Sequence, residues 1–89
     1  MGKKLDDTLE YLGAEYSIKA FEGEPCIYRK FDNYEFEISG LTSRGKYDAT
    51  IYVWENEKQV IKSVQDIPSK EELSKHLEIL LAEFSHNRG

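Results

Sequence analysis

Asp32-Asn33-Tyr34-Glu35-Phe36-Glu37-Ile38-Ser39-Gly40 is the stretch that decides the fold. Tyr34, Phe36 and Ile38 alternate with Glu35 and Glu37, the period of two of a strand with one apolar face. Just upstream, Asp32-Asn33 tolerate left-handed backbone and follow a second strand-like run, Cys26–Phe31, so the two runs read as a hairpin. Further upstream, Glu22-Gly23-Glu24-Pro25 is a turn. Glu15–Phe21 before it reads as a strand with Tyr16, Ile18 and Ala20 inward. Downstream, Gly40–Lys46 is a polar loop and Tyr47–Trp54 is a strand with Ala49, Ile51 and Val53 on one side. Asn56-Glu57 turns the chain, and Gln59–Val64 returns. Strands this short, joined by tight turns, form an antiparallel meander of four to five strands.

A helix stands at each end of the meander. Leu5, Leu9 and Leu12 keep helical spacing, Asp6 and Asp7 lie early where the helix dipole favours negative charge, and Gly13 is a suitable stop. Near the other end, Ser69-Lys70-Glu71-Glu72 fits a capping box. Leu73, Leu77, Leu80, Leu81 and Phe84 then form one apolar stripe along a helix of about 15 residues. Two amphipathic helices and one sheet pack most economically as a two-layer α+β sandwich, with both helices on the same sheet face. The whole chain, 1–89, reads as one small domain with ends that fray at about 1–4 and 86–89.

Composition narrows the function classes. The 89 residues hold 12 Lys+Arg against 17 Asp+Glu, a formal charge of −5, with 39% hydrophobic and 12% aromatic residues. The negative excess concentrates in residues 1–24 and 47–67. No segment is strongly basic, which argues against a phosphate-binding groove. No apolar run approaches the roughly 20 residues of a membrane span. Leu5-Asp6-Asp7 follows the basic start where a secretory signal would be apolar. With Cys26 as the single cysteine, a cytoplasmic location is expected.

The hairpin registers divide the aromatic residues. A two-residue Asp32-Asn33 loop pairs Lys30 with Glu35, Tyr28 with Glu37 and Ile27 with Ile38, but leaves Arg29 on the covered face beside Phe36. A three-residue loop pairs Arg29 with Glu35 and Tyr28 with Phe36, but exposes Ile27. The first keeps Ile27 inward and is preferred. In the later hairpin a two-residue Asn56-Glu57 loop pairs Val53 with Val60, Ala49 with Val64, Tyr52 with Ile61 and Trp54 with Gln59. Tyr16, Tyr34, Phe36 and Phe84 then fall in the core. Tyr28, Tyr52, Trp54 and Ile61 form an apolar cluster on the open face and are the candidate binding residues. Aromatic anchors on a polar surface are typical of interfaces, although cross-strand ring pairs also stabilise sheets by themselves, by about 0.2–1 kcal/mol each.

Catalytic and metal patterns are weak. Cys26 has no histidine near it in sequence and reads as a small, half-buried strand residue. Glu83 and His86 have the spacing of half a di-iron site, but no second copy exists. His76 reads as a solvated partner of Glu72. No cofactor is expected, and the chain reads as a non-enzyme. The helix–strands–helix order is similar to that of double-stranded-RNA-binding domains. Their last helix opens with a Lys-rich segment, however, where this chain has Ser69-Lys70-Glu71-Glu72.

Tyr11-Leu12-Gly13-Ala14-Glu15-Tyr16, Pro25-Cys26-Ile27-Tyr28-Arg29, the decisive stretch from Asp32 to Gly40, and Ile51-Tyr52-Val53-Trp54 resemble segments of small phage and prophage proteins of Gram-positive bacteria. The resemblance covers most of the chain. It implies a short cytoplasmic accessory protein of a mobile element and supplies no catalytic residues. The expected function is therefore an interaction or regulatory module that binds a protein partner, or itself as a homodimer, through the aromatic face. The alternatives are an acidic inhibitor occupying a nucleic-acid site on another protein, motivated by Glu15, Glu22, Glu24, Glu35, Glu37, Asp48, Glu55 and Glu57, and a single-strand nucleic-acid binder that stacks bases on Tyr28, Tyr52 and Trp54.

Overall fold

A computed structural model describes residues 3–86. Helix α1 (Lys3–Leu12) leads into strands β1 (Ser17–Phe21), β2 (Glu24–Phe31), β3 (Tyr34–Ser39), β4 (Ala49–Glu55) and β5 (Gln59–Ile67), and helix α2 (Lys70–His86) closes the fold. The five strands form one antiparallel sheet in sequence order. Both helices lie on the same face, α1 against β2 and α2, and α2 against β5. This is the expected α+β sandwich with all five strands present. Lys3 and Lys4, expected to fray, are already helical. The other end residues expected to fray, 1, 2 and 87–89, lie outside the described residues, as does the side chain of His86.

Local chemistry accounts for the ends of the elements. The Gly13 N–H donates to the Leu9 carbonyl at 3.1 Å, and Gly13 takes φ +102°, which ends α1. At α2, the Glu72 N–H donates to Ser69 Oγ at 3.2 Å, the capping bond read from the sequence. Glu22 and Gly23 both have positive φ, as a two-residue hairpin between Phe21 and Glu24 requires.

The core lies between the sheet and the helices. Leu5, Ile27, Phe36, Ile38, Ala49, Ile51, Val53, Ile67, Leu73, Leu77, Leu80 and Phe84 are buried there, with Tyr34 and Leu81 packed against them. Leu41, read as part of a polar loop, is also buried in this core and anchors the connection from β3 to β4.

The β2–β3 register is the preferred one: Ile27 pairs with Ile38, Tyr28 with Glu37 and Lys30 with Glu35. Arg29 accordingly sits on the covered side beside Phe36, and its guanidinium stacks 5.3 Å from the centre of the Tyr16 ring. A cation–π contact thus occupies the place where a charge on the apolar face would be costly.

The edge strand and the last hairpin depart from expectation. Ile18 and Ala20 were expected inward but are exposed; only Tyr16 of that set is buried. β1 is an edge strand paired only with β2, and the main helix contacts fall on β2 and β5, so its alternation has little to bury into. The β4–β5 register also differs. Trp54 pairs with Val60, Val53 with Lys62, Tyr52 with Ser63, Ile51 with Val64 and Ala49 with Ile67. Lys58 N–H bonds to the Glu55 carbonyl at 3.1 Å, so the strands resume only at the Glu55–Gln59 pair. Irregularities between Val53 and Trp54 and between Ala49 and Ile51 then absorb extra residues from β5. Lys62, opposite Val53, bonds Glu83 of α2 at 3.0 Å.

Candidate functional site

The open face is assembled from cross-strand rows. Lys30, Glu35, Trp54 and Val60 form one row, and Ser17, Tyr28, Glu37, Tyr52 and Ser63 the next. Between these rows and the β1–β2 turn the sheet encloses a concavity of about 700 Å³. Its floor carries Glu35, Glu37, Tyr52, Trp54 and Cys26, and Phe21 and Val60 supply apolar lining. Glu22, Glu24 and Glu57 add three more carboxylates against one ammonium, that of Lys19.

The candidate residues are only partly brought together. Tyr52 and Trp54 line the concavity side by side on β4. Tyr28 stands on the same face in the row of Glu37 and Tyr52, 6.3 Å from the Phe21 ring, with Lys19 Nζ 4.4 Å over its own ring. Ile61 does not face Tyr52. It is the residue left without a cross-strand partner between Val60 and Lys62, and it is not among the lining side chains. Val60, expected inward opposite Val53, takes its place opposite Trp54 and is 41% exposed.

Glu35 and Glu37 were placed on the open face from the sequence, but their burial was not foreseen. They are only 6% and 9% exposed. Each lies directly across from a large ring, Glu35 from Trp54 and Glu37 from Tyr52. The Trp54 Nε1–H donates to Glu37 Oε1 at 3.0 Å, and Cys26 Sγ lies 3.9 Å from Glu37 Oε2. The signal was present in the register: once β3 lies between β2 and β4, its open-face glutamates are flanked by Tyr28, Tyr52 and Trp54. Among the described residues the ion pairs are Lys62–Glu83 and Lys75–Glu72, so neither buried glutamate has a cationic partner.

Cys26 is buried rather than half-buried, at 2% exposure. Burial, then the charges of Glu37 and Glu24, push its thiol up to about 11. Such a thiol is a poor nucleophile near neutral pH. Burial also raises the hydroxyls of Tyr16, Tyr28 and Tyr47, with Glu35 adding to the shift at Tyr28. All four groups are neutral when protonated and hold their protons more tightly in the folded state. Their contribution is complete below the unfolded thiol's value near 9 and is lost as pH rises through the folded values. The urea midpoint should therefore fall steadily between about pH 9 and 11. A flat midpoint across that window would contradict the burial of these groups.

No protein-family model matches the chain, and neither a curated protein nor a solved structure shows significant similarity to it. Among the described residues, no group of three or more His, Cys, Asp or Glu side chains could hold a metal ion. No described helix is long and apolar enough to cross a membrane.

Proposed function

We propose that this chain is a non-enzymatic interaction module that binds a protein partner through the open face of its sheet. The observation that carries the reading is the concavity floored by Tyr52, Trp54, Glu35 and Glu37. Helices cover the other sheet face, whereas this one keeps large rings beside polar groups in a recess, the composition of an interface anchor site. The resemblance to small phage and prophage proteins supports an accessory role in the cytoplasm of a bacterial host.

Charge selects among the partners. Self-association through this face would set five carboxylates of one copy against five of the other, because a two-fold interface meets itself. Single-stranded nucleic acid would bring phosphates onto the same carboxylates. An inhibitor that imitates nucleic acid needs its charges projecting, and two of the eight carboxylates that motivate that reading, Glu35 and Glu37, are recessed. A separate protein partner is the occupant with no such conflict.

Affinity capture from host-cell extract tests this reading. Proteins retained by the wild type should be lost with Trp54→Ala and with Tyr52→Ala. They should be kept by Ile79→Ala, a change at a 61% exposed position on α2. Retention of every association by both groove variants would overturn it.

A further inference from the structure

We infer that the concavity receives an arginine side chain from a basic segment of the partner. This deepens the interaction reading above and rests on it. Two independent features converge on a cation. The first is burial: Glu35 and Glu37 are more than nine-tenths buried, line the recess, and have no cationic partner among the described residues. Their hydrogen-bonding neighbours are neutral, the Trp54 indole and the Cys26 thiol for Glu37 and the Tyr28 hydroxyl for Glu35, and neither Lys30 across from Glu35 nor Lys19 in the lining forms an ion pair with them. Buried carboxylates are ordinarily paired, because desolvating a lone charge is costly. A site that holds two of them open to a recess is set up for a cation supplied from outside.

The second feature is the cross-strand order. Glu35 faces Trp54 and Glu37 faces Tyr52, so two carboxylates on β3 stand beside two rings on β4 as a two-by-two patch. Guanidinium fits this patch better than ammonium. Its plane stacks on a ring while its edge donates to a carboxylate, whereas ammonium is a compact, strongly hydrated point charge. At about 700 Å³ the recess exceeds one side chain, and Phe21 and Val60 offer apolar contact to the residues that flank the arginine. A peptide segment uses that space and a small free cation does not.

The protein has a single tryptophan, so one indole N–H resonance reports on the floor of the recess. The probes are a nine-residue peptide with three arginines in a glycine–serine background, its lysine and glutamate counterparts, and spermidine. The arginine peptide should give a saturable shift of this resonance, stronger than the lysine peptide, with none from the glutamate peptide. Glu35→Gln and Glu37→Gln keep the side-chain shape and one acceptor oxygen and remove the charge, and each should weaken binding on the order of tenfold. Raising the salt should weaken it as well. Tyr52→Ala, which leaves both carboxylates in place, should also weaken it. Absence of a saturable shift, or equal affinity in the glutamine variants, would overturn the proposal. Equal affinity for spermidine would overturn it in favour of a free polyamine. If the arginine peptide fails while Trp54→Ala still abolishes capture, the arginine assignment falls alone. If capture survives in both groove variants, the interaction reading falls with it.

Discussion

Phe36→Ala is expected to destabilise the fold by about 3–5 kcal/mol, the range for emptying a buried aromatic site. A chain of 89 residues has only about 5–13 kcal/mol in total, so the variant should be close to unfolding. Phe36 is fully buried, with its ring centre 6.5 Å from that of Phe84 on α2, and its cross-strand neighbours are Arg29 and Val53. Its role extends to the recess. Glu35 and Glu37 flank it on β3, and the side on which Phe36 is anchored sets theirs. Urea unfolding measures the loss, and the Trp54 indole resonance should broaden or move in the same variant. A loss below about 1 kcal/mol would mean that the ring is not the anchor described.

Gly40→Ala is the second large effect. Gly40 follows β3 with φ +87°, and a Cβ there would run into the backbone carbonyl of Asp48, just before β4. The left-handed conformation alone costs an alanine about 1–2 kcal/mol. The clash is with backbone, which cannot rotate away, so the total should reach about 3 kcal/mol or more. Gly23→Ala separates the two costs, because Gly23 has nearly the same φ, +85°, and nothing within 4 Å of the added carbon. Urea midpoints should rank wild type, Gly23→Ala, Gly40→Ala, from most to least stable. Equal losses at the two glycines would remove the close approach from the explanation. Relief of the clash would pull Asp48 and the start of β4 away from β3, which connects this glycine to the Glu37–Trp54 bond.

Legibility differed sharply along the chain. The β2–β3 hairpin was readable because its loop leaves no slack: Phe31 pairs with Tyr34 across Asp32-Asn33, and Asp32 accepts φ +58°. The β4–β5 hairpin was not. β5 has nine residues and β4 seven, and the excess is taken up in irregularities. Val64 and Ile67 are three apart and would face opposite sides of a regular strand. A left-handed Asp66, φ +60°, lets Ile67 reach the core opposite Ala49 while Val64 faces inward opposite Ile51. The irregularity near Ile61 likewise turns Val60 towards Trp54 and leaves Lys62 to meet Glu83. Tertiary packing chose these positions, and no local pattern announces them.

By itself, the amino-acid sequence determined the order of the elements, the antiparallel meander, the Ser69 cap, the helical stripe that covers the sheet, and the inward side of Tyr16, Tyr34, Phe36 and Phe84. Each follows from a period or a turn that acts over a few residues. Tertiary structure alone decided that Glu35 and Glu37 are buried, that Val60 rather than Ile61 joins the aromatic face, and that a recess forms there. Alternation states which side of a sheet a residue takes, but burial depends on what the neighbouring strands place beside it. Here those neighbours are the rings of Tyr52 and Trp54, brought across from a strand ten or more residues away by a register that no single strand encodes.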